Sequence, residues 1–196
     1  MINTSQAKEI ISAKLSPRRC QHCLNVAQAA ASLADCYGVD RERAYLTGIL
    51  HDYAKDLKPD DLLSIAEING LIDCEVERQV PDLLHAQVGA CLLVQELGIE
   101  DEEMLEAVKA HTMGNLCMSP LDKIIFLADM IEPGRDQYPD LERLRQLAFT
   151  DLDQAMLLGL ESTIRYCLDR RALLHPRTIE VRNIFLQKIK GQRLET

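Results

Sequence analysis

The sequence predicts an all-α fold, and three observations support this prediction. Of 196 residues, 47% are hydrophobic but only 4% are aromatic, and there is no Trp. Leu, Ile, Val, Ala and Met must therefore fill the core, and these residues favour packed helices over a β-sandwich. Apolar residues recur at helical spacing, and no alternating segment is long enough for a useful strand. The length suits one domain, so we predict a single helical bundle over residues 1–196, with its core at about residues 6–190.

Proline, glycine and acidic residues mark where the predicted helices begin and end. The first helix stops at Ser16-Pro17, because the residue before proline avoids the α region. Asp40 and Pro120 suit helix starts, and Gly98 suits a helix end. The predicted helices are 4–15, 19–37, 41–53, 59–69, 84–97, 101–112, 120–132, 140–147, 150–170 and 176–190. We expect a short helix and a loop over 71–83, a loop over 113–119 and fraying over 191–196.

The acidic charge excludes several classes of partner. The formal net charge is −9, which disfavours binding to nucleic acid and to anionic membranes. No apolar run reaches the roughly 18 residues that a membrane-spanning helix needs. A small anionic substrate is still compatible, because bound divalent cations can reverse the local charge of a pocket. We therefore expect a small-molecule partner.

The cysteines favour a reducing compartment. There are seven, an odd number with irregular spacing, and the first residues lack the pattern of a signal peptide. We expect reduced thiols and a cytoplasmic protein. One CxxC pair occurs at Cys20 and Cys23, but no second pair completes a four-ligand zinc set, so we disfavour a cysteine-ligated metal. For His175, which precedes Pro176, we expect a capping or loop role.

Six histidine and aspartate residues form the main chemical pattern. His51-Asp52 directly follows an apolar run, and Asp129 lies within an almost wholly apolar helix. Buried ionisable groups are costly unless they are paired or bind a metal. Taken singly, each such residue is more often a hydrogen-bonded or capping core residue. The ordered set offers enough nitrogen and oxygen ligands for two divalent metals with open positions. Its members are His22, His51, Asp52, His85, His111 and Asp129.

The order of these residues resembles the HD superfamily of metal-dependent phosphohydrolases. A lone His-Asp pair would be weak evidence, but five blocks occur in the right order. They are Arg19-x-x-His22, His51-Asp52-Tyr53-Ala54-Lys55, His85-Ala86-x-Val88-Gly89-Ala90, His111-Thr112-x-Gly114 and Ala128-Asp129-x-Ile131-Glu132-Pro133-x-Arg135. Together they resemble the YqeK family of bacterial symmetrical diadenosine tetraphosphate hydrolases. The resemblance covers roughly residues 6–190.

The resemblance implies a metal site and a reaction. It implies one metal held by His22, His51, Asp52 and Asp129, and a second held by His85, His111 and the bridging Asp52. The family is associated with a di-iron centre, whereas the residue types alone equally allow Mn or another divalent metal. The implied reaction is attack of a metal-bound hydroxide on phosphorus, which cleaves diadenosine tetraphosphate symmetrically into two ADP.

Two cationic residues are predicted to assist Asp52 in catalysis. Lys55 lies four residues after His51, so on a continuing helix it would share that face, and we predict that it binds substrate phosphate. Arg135 follows a Pro-Gly break just beyond Asp129. An arginine on a loop beside a metal site suits bidentate phosphate binding.

Two further residues are predicted to contact substrate. Arg19 lies three residues before His22 and projects to the same side, where it could contact phosphate or orient a ligand carboxylate. Thr112 could donate a hydrogen bond to phosphate or cap a helix end. The loop 113–119 contains no basic residue, so the metals, Lys55 and the arginines must meet most of the phosphate charge.

Alternative functions remain open at this point. The chain could be another HD-superfamily nucleotide phosphohydrolase or phosphodiesterase, which a panel of substrates would reveal. It could instead be a metal-dependent nucleotide-binding regulatory protein, although open metal positions argue against that role. A purely structural helical bundle would have to explain four histidines and two aspartates with apolar neighbours. The apolar helix faces also allow a homodimer.

Overall fold

The computed structural model describes residues 2–192, which form α-helices and one short 3-10 helix, η1. The elements are α1 (Thr4–Lys14), α2 (Pro17–Tyr37), α3 (Arg41–Leu50), α4 (Pro59–Ile68), α5 (Glu75–Gln79), η1 (Pro81–Leu84), α6 (His85–Leu97), α7 (Glu102–Ala110), α8 (Pro120–Ile131), α9 (Leu141–Ala148), α10 (Leu152–Asp169) and α11 (Pro176–Gln192). No strand occurs within the described range. The predicted all-α fold class is confirmed. The fraying predicted for 191–196 concerns mostly residues outside that range, while Gly191 and Gln192 still belong to α11.

The helix starts follow the sequence signals closely. The side chain of Asp40 accepts a hydrogen bond from the N–H of Arg43 at the start of α3. Ser119 and Asp122 form a reciprocal capping box at the start of α8, which satisfies backbone groups that a helix end leaves free. Helix α2 begins at Pro17, two residues before the predicted start, because proline is well suited to a first helical position.

Two predicted helix ends beside the candidate site are wrong, because α7 ends at Ala110 rather than at residue 112, and α3 also ends early. Helix α3 was expected to continue to residue 53, but it ends at Leu50. Residues 51–56 form consecutive turns, in which the N–H of Tyr53 bonds to the carbonyl of Leu50 and that of Lys55 to the carbonyl of Asp52. The His-Asp pair therefore lies at the end of a helix rather than inside one.

Two apolar clusters make up the core, and α2 contributes to both. Val26 and Ala30 of α2 belong to the cluster centred on α8 and α10. Cys23 and Ala27 of the same helix belong to the cluster formed by α1, α3, α4 and α6. Helix α2 therefore lies between the two clusters, and it packs along both α3 and α8. The candidate site lies where these helices meet.

Glycine at position 48 lets α2 and α3 approach closely. A Cβ atom added there would lie 2.6 Å from the Cα atom of Ala27, which no side chain can accommodate without a backbone shift. The carbonyl of Gly48 also accepts a hydrogen bond from the ring of His51. Gly48 therefore has two effects. It lets α2 and α3 pack closely, and its carbonyl orients His51 of the candidate site.

Among residues 2–192, none of the helices is both long enough and apolar enough to span a bilayer.

Candidate active site

The six predicted histidine and aspartate residues come together from five helices. His22 lies on α2, and His51-Asp52 follow the last residue of α3. His85 begins α6, and His111 follows the last residue of α7. Asp129 lies near the end of α8. The side chains of His51, Asp52, His85 and His111 are buried, with at most 4% of each residue exposed.

Asp52 occupies the centre of the cluster, and its two carboxylate oxygens face different histidines. Oδ1 lies 3.4 Å from Nε2 of His85 and 3.5 Å from Nε2 of His111. Oδ2 lies 3.4 Å from Nε2 of His51 and 3.6 Å from Nε2 of His22. One carboxylate therefore connects two pairs of imidazoles, which is the arrangement that a bridging ligand between two cations requires.

Asp129 belongs to one side of the cluster. Its Oδ1 lies 2.9 Å from Nε2 of His22 and 3.8 Å from Nε2 of His51. Sets of side chains compatible with a metal ion occur on both sides of Asp52. One contains His22, His51 and Asp129, and the other contains His51, Asp52 and His111.

Three of the histidines are held by the same local contact. Each ring Nδ1 lies against the backbone carbonyl three residues earlier: His51 against Gly48, His85 against Asp82 and His111 against Val108. A carbonyl only accepts, so Nδ1 carries the proton and the lone pair of Nε2 points into the cluster. Burial also lowers the pKa of His111 to about 4, so this imidazole is neutral at neutral pH and suited to bind a metal.

His22 is held by a residue that the sequence interpretation gave no role. Its Nδ1 lies 3.1 Å from Oε1 of Glu132, which is buried just beyond the end of α8. The second oxygen of Glu132 accepts a hydrogen bond from Asn25 Nδ2. A carboxylate behind a metal-binding histidine fixes the ring and increases its basicity. The available signal was Glu132 itself, since it lies three residues after Asp129 within a recognised block.

The free nitrogen atoms fit a cation. Nε2 of His22 and Nε2 of His51 are fully buried and have no hydrogen-bond partner. Each faces carboxylate oxygens of Asp52 and Asp129, which carry only lone pairs when ionised. Two buried nitrogens that face oxygen acceptors instead of donors are costly. A divalent cation between them and the carboxylates satisfies both nitrogens at once.

Both aspartates are ionised in this environment. Burial alone would raise the pKa of Asp52, but the positive charge of a protonated His51, whose own pKa is raised, holds it well below its ordinary value, and a cation beside it has the same effect. Burial opposes ionisation of Asp129 too, yet the nearby Arg135 guanidinium keeps its pKa low. The cluster therefore offers two carboxylates in the form that binds cations.

The two arginines near the cluster contact its carboxylates. Arg19 Nη1 donates to Asp52 Oδ2 over 2.7 Å, and both roles considered for this residue stay predictions. Arg135 donates from Nε to the backbone carbonyl of Asp129 and from Nη2 to its carboxylate. Phosphate binding by Arg135 stays a prediction.

Lys55 reaches the opposite side of the cluster, but it does not share a helix face with His51 as predicted. The chain leaves the helix at Leu50, so a turn rather than a shared helix face directs this side chain. Its Nζ lies 2.7 Å from Asp82 Oδ2 and 3.4 Å from His85 Nδ1. Thr112 Oγ1 is nearby, 3.2 Å from His85 Nε2. Phosphate binding by these two residues also stays a prediction.

Two cavities flank the cluster. The larger, of about 500 Å³, includes His22, Arg19, Arg135 and Asn25 in its lining. The smaller, of about 160 Å³, is lined by Arg19, Asp52, Lys55, His85, His111, Thr112, Phe126, Asp129, Met130 and Thr163. Arg19 borders both cavities. A ligand can therefore approach the cluster from two sides.

Fold and site together define a helical protein with a buried histidine–aspartate cluster, and comparison with known proteins identifies its family. Residues 19–134 match the HD domain, and the chain belongs to the HD-domain family. It is 38% identical to a symmetrical bis(5'-nucleosyl)-tetraphosphatase of Halalkalibacterium halodurans, covering 96% of this chain and 100% of that protein. It is 33% identical to the protein of the same name from Bacillus subtilis, over 90% and 94% of the two chains.

A solved structure agrees with this assignment. The chain superimposes with a TM-score of 0.91 on a crystal structure from Clostridium acetobutylicum described as a predicted HD superfamily hydrolase involved in NAD metabolism. The two are 34% identical, and the match covers 96% of this chain and 99% of the other. The family resemblance of the five sequence blocks is confirmed. An HD domain implies dependence on divalent metal, and the six-residue cluster is suited to bind it.

Proposed function

We propose that this chain hydrolyses diadenosine tetraphosphate symmetrically to two ADP, using two divalent cations held by the six-residue cluster. One observation carries the proposal: Asp52 directs one oxygen to His85 and His111, and the other to His22 and His51. The relatives named as symmetrical bis(5'-nucleosyl)-tetraphosphatases support the substrate.

The reaction forms one bond and breaks one. The oxygen of a water molecule forms a bond to one of the two central phosphorus atoms, and the bond from that phosphorus to the central bridging oxygen breaks. The bridging oxygen leaves as part of one ADP, while the other ADP carries the oxygen from water. Divalent cations supply a water of lowered pKa and neutralise the phosphoryl oxygens.

Chain residues position the substrate. Lys55 and Thr112 border the smaller cavity next to His85, and we assign the central phosphates to that space. Arg19 and Arg135 reach the larger cavity, whose volume of about 500 Å³ suits a nucleoside. On binding, the two arginines would exchange part of their contact with Asp52 and Asp129 for phosphate oxygens, which the planar guanidinium binds in pairs.

The cations are proposed to be iron or manganese. Neutral imidazoles with carboxylates suit Fe and Mn, and no sulfur belongs to the six-residue set. All seven cysteines are free, and this supports the proposed cytoplasmic location, where thiols stay reduced. The net charge of −9 supports a small-molecule substrate over nucleic acid. A homodimer stays a prediction.

Product analysis tests this function. Purified protein is incubated with diadenosine tetraphosphate and added Fe²⁺ or Mn²⁺, and the products are separated by chromatography. We expect ADP as the sole early product, lost with chelator and in Asp52→Ala but retained in Asp61→Ala, an exposed aspartate of α4. AMP with ATP would show asymmetric cleavage and contradict the proposal. No turnover with metal bound would also contradict it, and would favour another HD-superfamily substrate or a binding role.

A further inference from the structure

A second cluster of ligand-type side chains lies apart from the six-residue cluster. Cys74 Sγ lies 3.2 Å from His175 Nε2, and the same nitrogen lies 3.4 Å from Glu77 Oε1. These three ligand atoms all lie within 4.8 Å of one another. Cys74 and Glu77 lie at the start of α5, whereas His175 immediately precedes α11, 101 residues beyond the cysteine.

The carboxylate of this cluster is buried and only half satisfied. Glu77 is fully buried, and its Oε2 accepts hydrogen bonds from the backbone N–H groups of Asp73 and Cys74 over 2.6 and 3.1 Å. Its Oε1 is buried without a hydrogen-bond partner and faces His175, which is itself 5% exposed. An unpartnered buried carboxylate oxygen costs stability unless something positive reaches it.

The hydrogen bonds of His175 do not satisfy Oε1 of Glu77. The backbone N–H of Arg177 donates to His175 Nδ1 over 3.2 Å, so the neutral ring carries its proton on Nε2. The predicted capping role of His175 is thereby confirmed. That N–H lies nearer the sulfur of Cys74, at 3.2 Å, than Oε1 of Glu77, at 3.4 Å, and Oε1 has no hydrogen-bond partner. A cation at the same position contacts all three ligand atoms.

We propose that Cys74, Glu77 and His175 bind a zinc ion, separate from the six-residue cluster. One sulfur, one imidazole nitrogen and one carboxylate oxygen form a donor set that zinc accepts. Water would supply the fourth ligand, as it does in zinc sites with three protein ligands. The proposed site uses a cysteine outside the Cys20–Cys23 CxxC pair, for which the sequence disfavoured a cysteine-ligated metal.

The protons balance in a simple way. On binding, the Cys74 thiol releases its proton to solvent and the thiolate binds the ion. The proton on His175 Nε2 moves to Nδ1, and the long contact with the Arg177 N–H is given up. Glu77 is already acceptor-only when ionised and needs no change.

The ion would connect two distant parts of the chain. Cys74 and Glu77 belong to the irregular segment between α4 and α6, which also carries Asp82 beside Lys55. His175 fixes the start of α11 to this segment, where an ion pair of 2.6 Å between Asp73 and Arg177 also forms. A bound ion would therefore stabilise the segment that supports the smaller cavity.

Cobalt absorption distinguishes this site from the six-residue cluster, which contains no sulfur. The reduced protein, freed of metal, is titrated with Co²⁺, and thiolate-to-cobalt charge transfer is followed in the near ultraviolet. We expect this absorption to reach the intensity of one cobalt–thiolate bond per chain, whatever further Co²⁺ the six-residue cluster binds, and to disappear on addition of excess Zn²⁺. It should be lost in Cys74→Ser, weakened in His175→Gln and unchanged in Cys117→Ser, which alters an exposed cysteine. Absence of the absorption, or its survival in Cys74→Ser, would overturn the proposal.

A second measurement uses the unaltered chain and does not depend on variants that fold. Alkylation of each cysteine by iodoacetamide is measured by peptide mass spectrometry, with and without Zn²⁺. We expect Zn²⁺ to slow alkylation of Cys74 by about tenfold or more, with Cys117 unaffected. Equal alkylation of Cys74 in both conditions would overturn the proposal.

Discussion

The two ends of the six-residue cluster are built in different ways. At one end, His85 and His111 are each oriented by a backbone carbonyl three residues earlier. At the other end, the carbonyl of Gly48 orients His51 in the same way, but His22 is oriented by Glu132, a side chain 110 residues away. The first arrangement depends on the local course of the chain, and the second depends on the packing of α2 against the end of α8.

This difference determines which end of the six-residue cluster a side-chain substitution can alter. A backbone carbonyl cannot be removed by changing a side chain, so the His85–His111 end should tolerate nearby substitutions. The His22 end can be altered through Glu132 without touching a proposed ligand. Asp52 belongs to both ends, so replacing it should impair metal binding at both.

The largest effect is expected for Asp52→Asn. The amide keeps the shape of the carboxylate but cannot supply two anionic oxygens to the two pairs of histidines. We expect kcat/KM for diadenosine tetraphosphate to fall about a thousandfold or more, which corresponds to about 4 kcal/mol of transition-state stabilisation. Steady-state kinetics with Mn²⁺ measures it. A loss of tenfold or less would show that Asp52 does not connect the two ends.

Metal binding is expected to stabilise the fold strongly. A hundredfold excess of Mn²⁺ over its dissociation constant contributes about 2.7 kcal/mol for one site, or a rise in Tm of roughly 5–10 °C for a chain of this size. Mn²⁺ relieves the facing lone pairs of His22, His51 and the aspartates. Thermal unfolding followed by circular dichroism tests this, with Asp52→Asn showing a smaller rise. An unchanged Tm in the parent protein would contradict a cation site.

Glu132→Gln tests whether the two ends of the cluster bind metal independently. The amide weakens the support of His22, so we expect the affinity of one metal equivalent to fall about 10- to 100-fold while the other keeps its affinity. Calorimetric titration with Mn²⁺ separates the two. Glu142→Gln, an exposed carboxylate of α9, is the matched control. Equal weakening of both equivalents would show that the ends are not independent.

The smallest effect is expected for Lys55→Met. This variant keeps most of the side-chain volume but removes the charge beside His85, so KM should rise by about tenfold with metal content unchanged. Lys58→Met, at an exposed position, should behave like the parent protein. A loss of metal in Lys55→Met would assign this lysine to the structure of the site rather than to phosphate binding.

The sequence predicts the helices well because their ends depend on local chemistry. Ser119 with Asp122 and Asp40 cap helices within their own turn, and such contacts are visible in a short window of sequence. The end of α3 was misplaced because no proline or glycine follows Leu50, and the buried contacts of His51 and Asp52 decide the turn instead. Lys55 consequently reaches the cluster by a route that helical spacing did not predict.

Long-range contacts limit how far the site itself can be predicted. The six histidine and aspartate residues stand out because ionisable groups beside apolar runs are unusual. Glu132 does not stand out in this way, because only the packing of α2 against α8 brings it to His22. The same holds for His175, which the fold places 3.2 Å from the sulfur of Cys74. Neither contact follows from the spacing of residues along the chain.

Electron paramagnetic resonance of the Mn²⁺-loaded protein tests whether Asp52 connects two cations. If Asp52 connects two cations, the parent protein should show the spectrum of an exchange-coupled Mn²⁺ pair, and Asp52→Asn should lose it. The proposed cysteine site does not interfere, because Mn²⁺ prefers oxygen and nitrogen ligands to thiolate. A spectrum of isolated Mn²⁺ alone at full loading, or no bound Mn²⁺ at all, would contradict a two-cation site in this cluster.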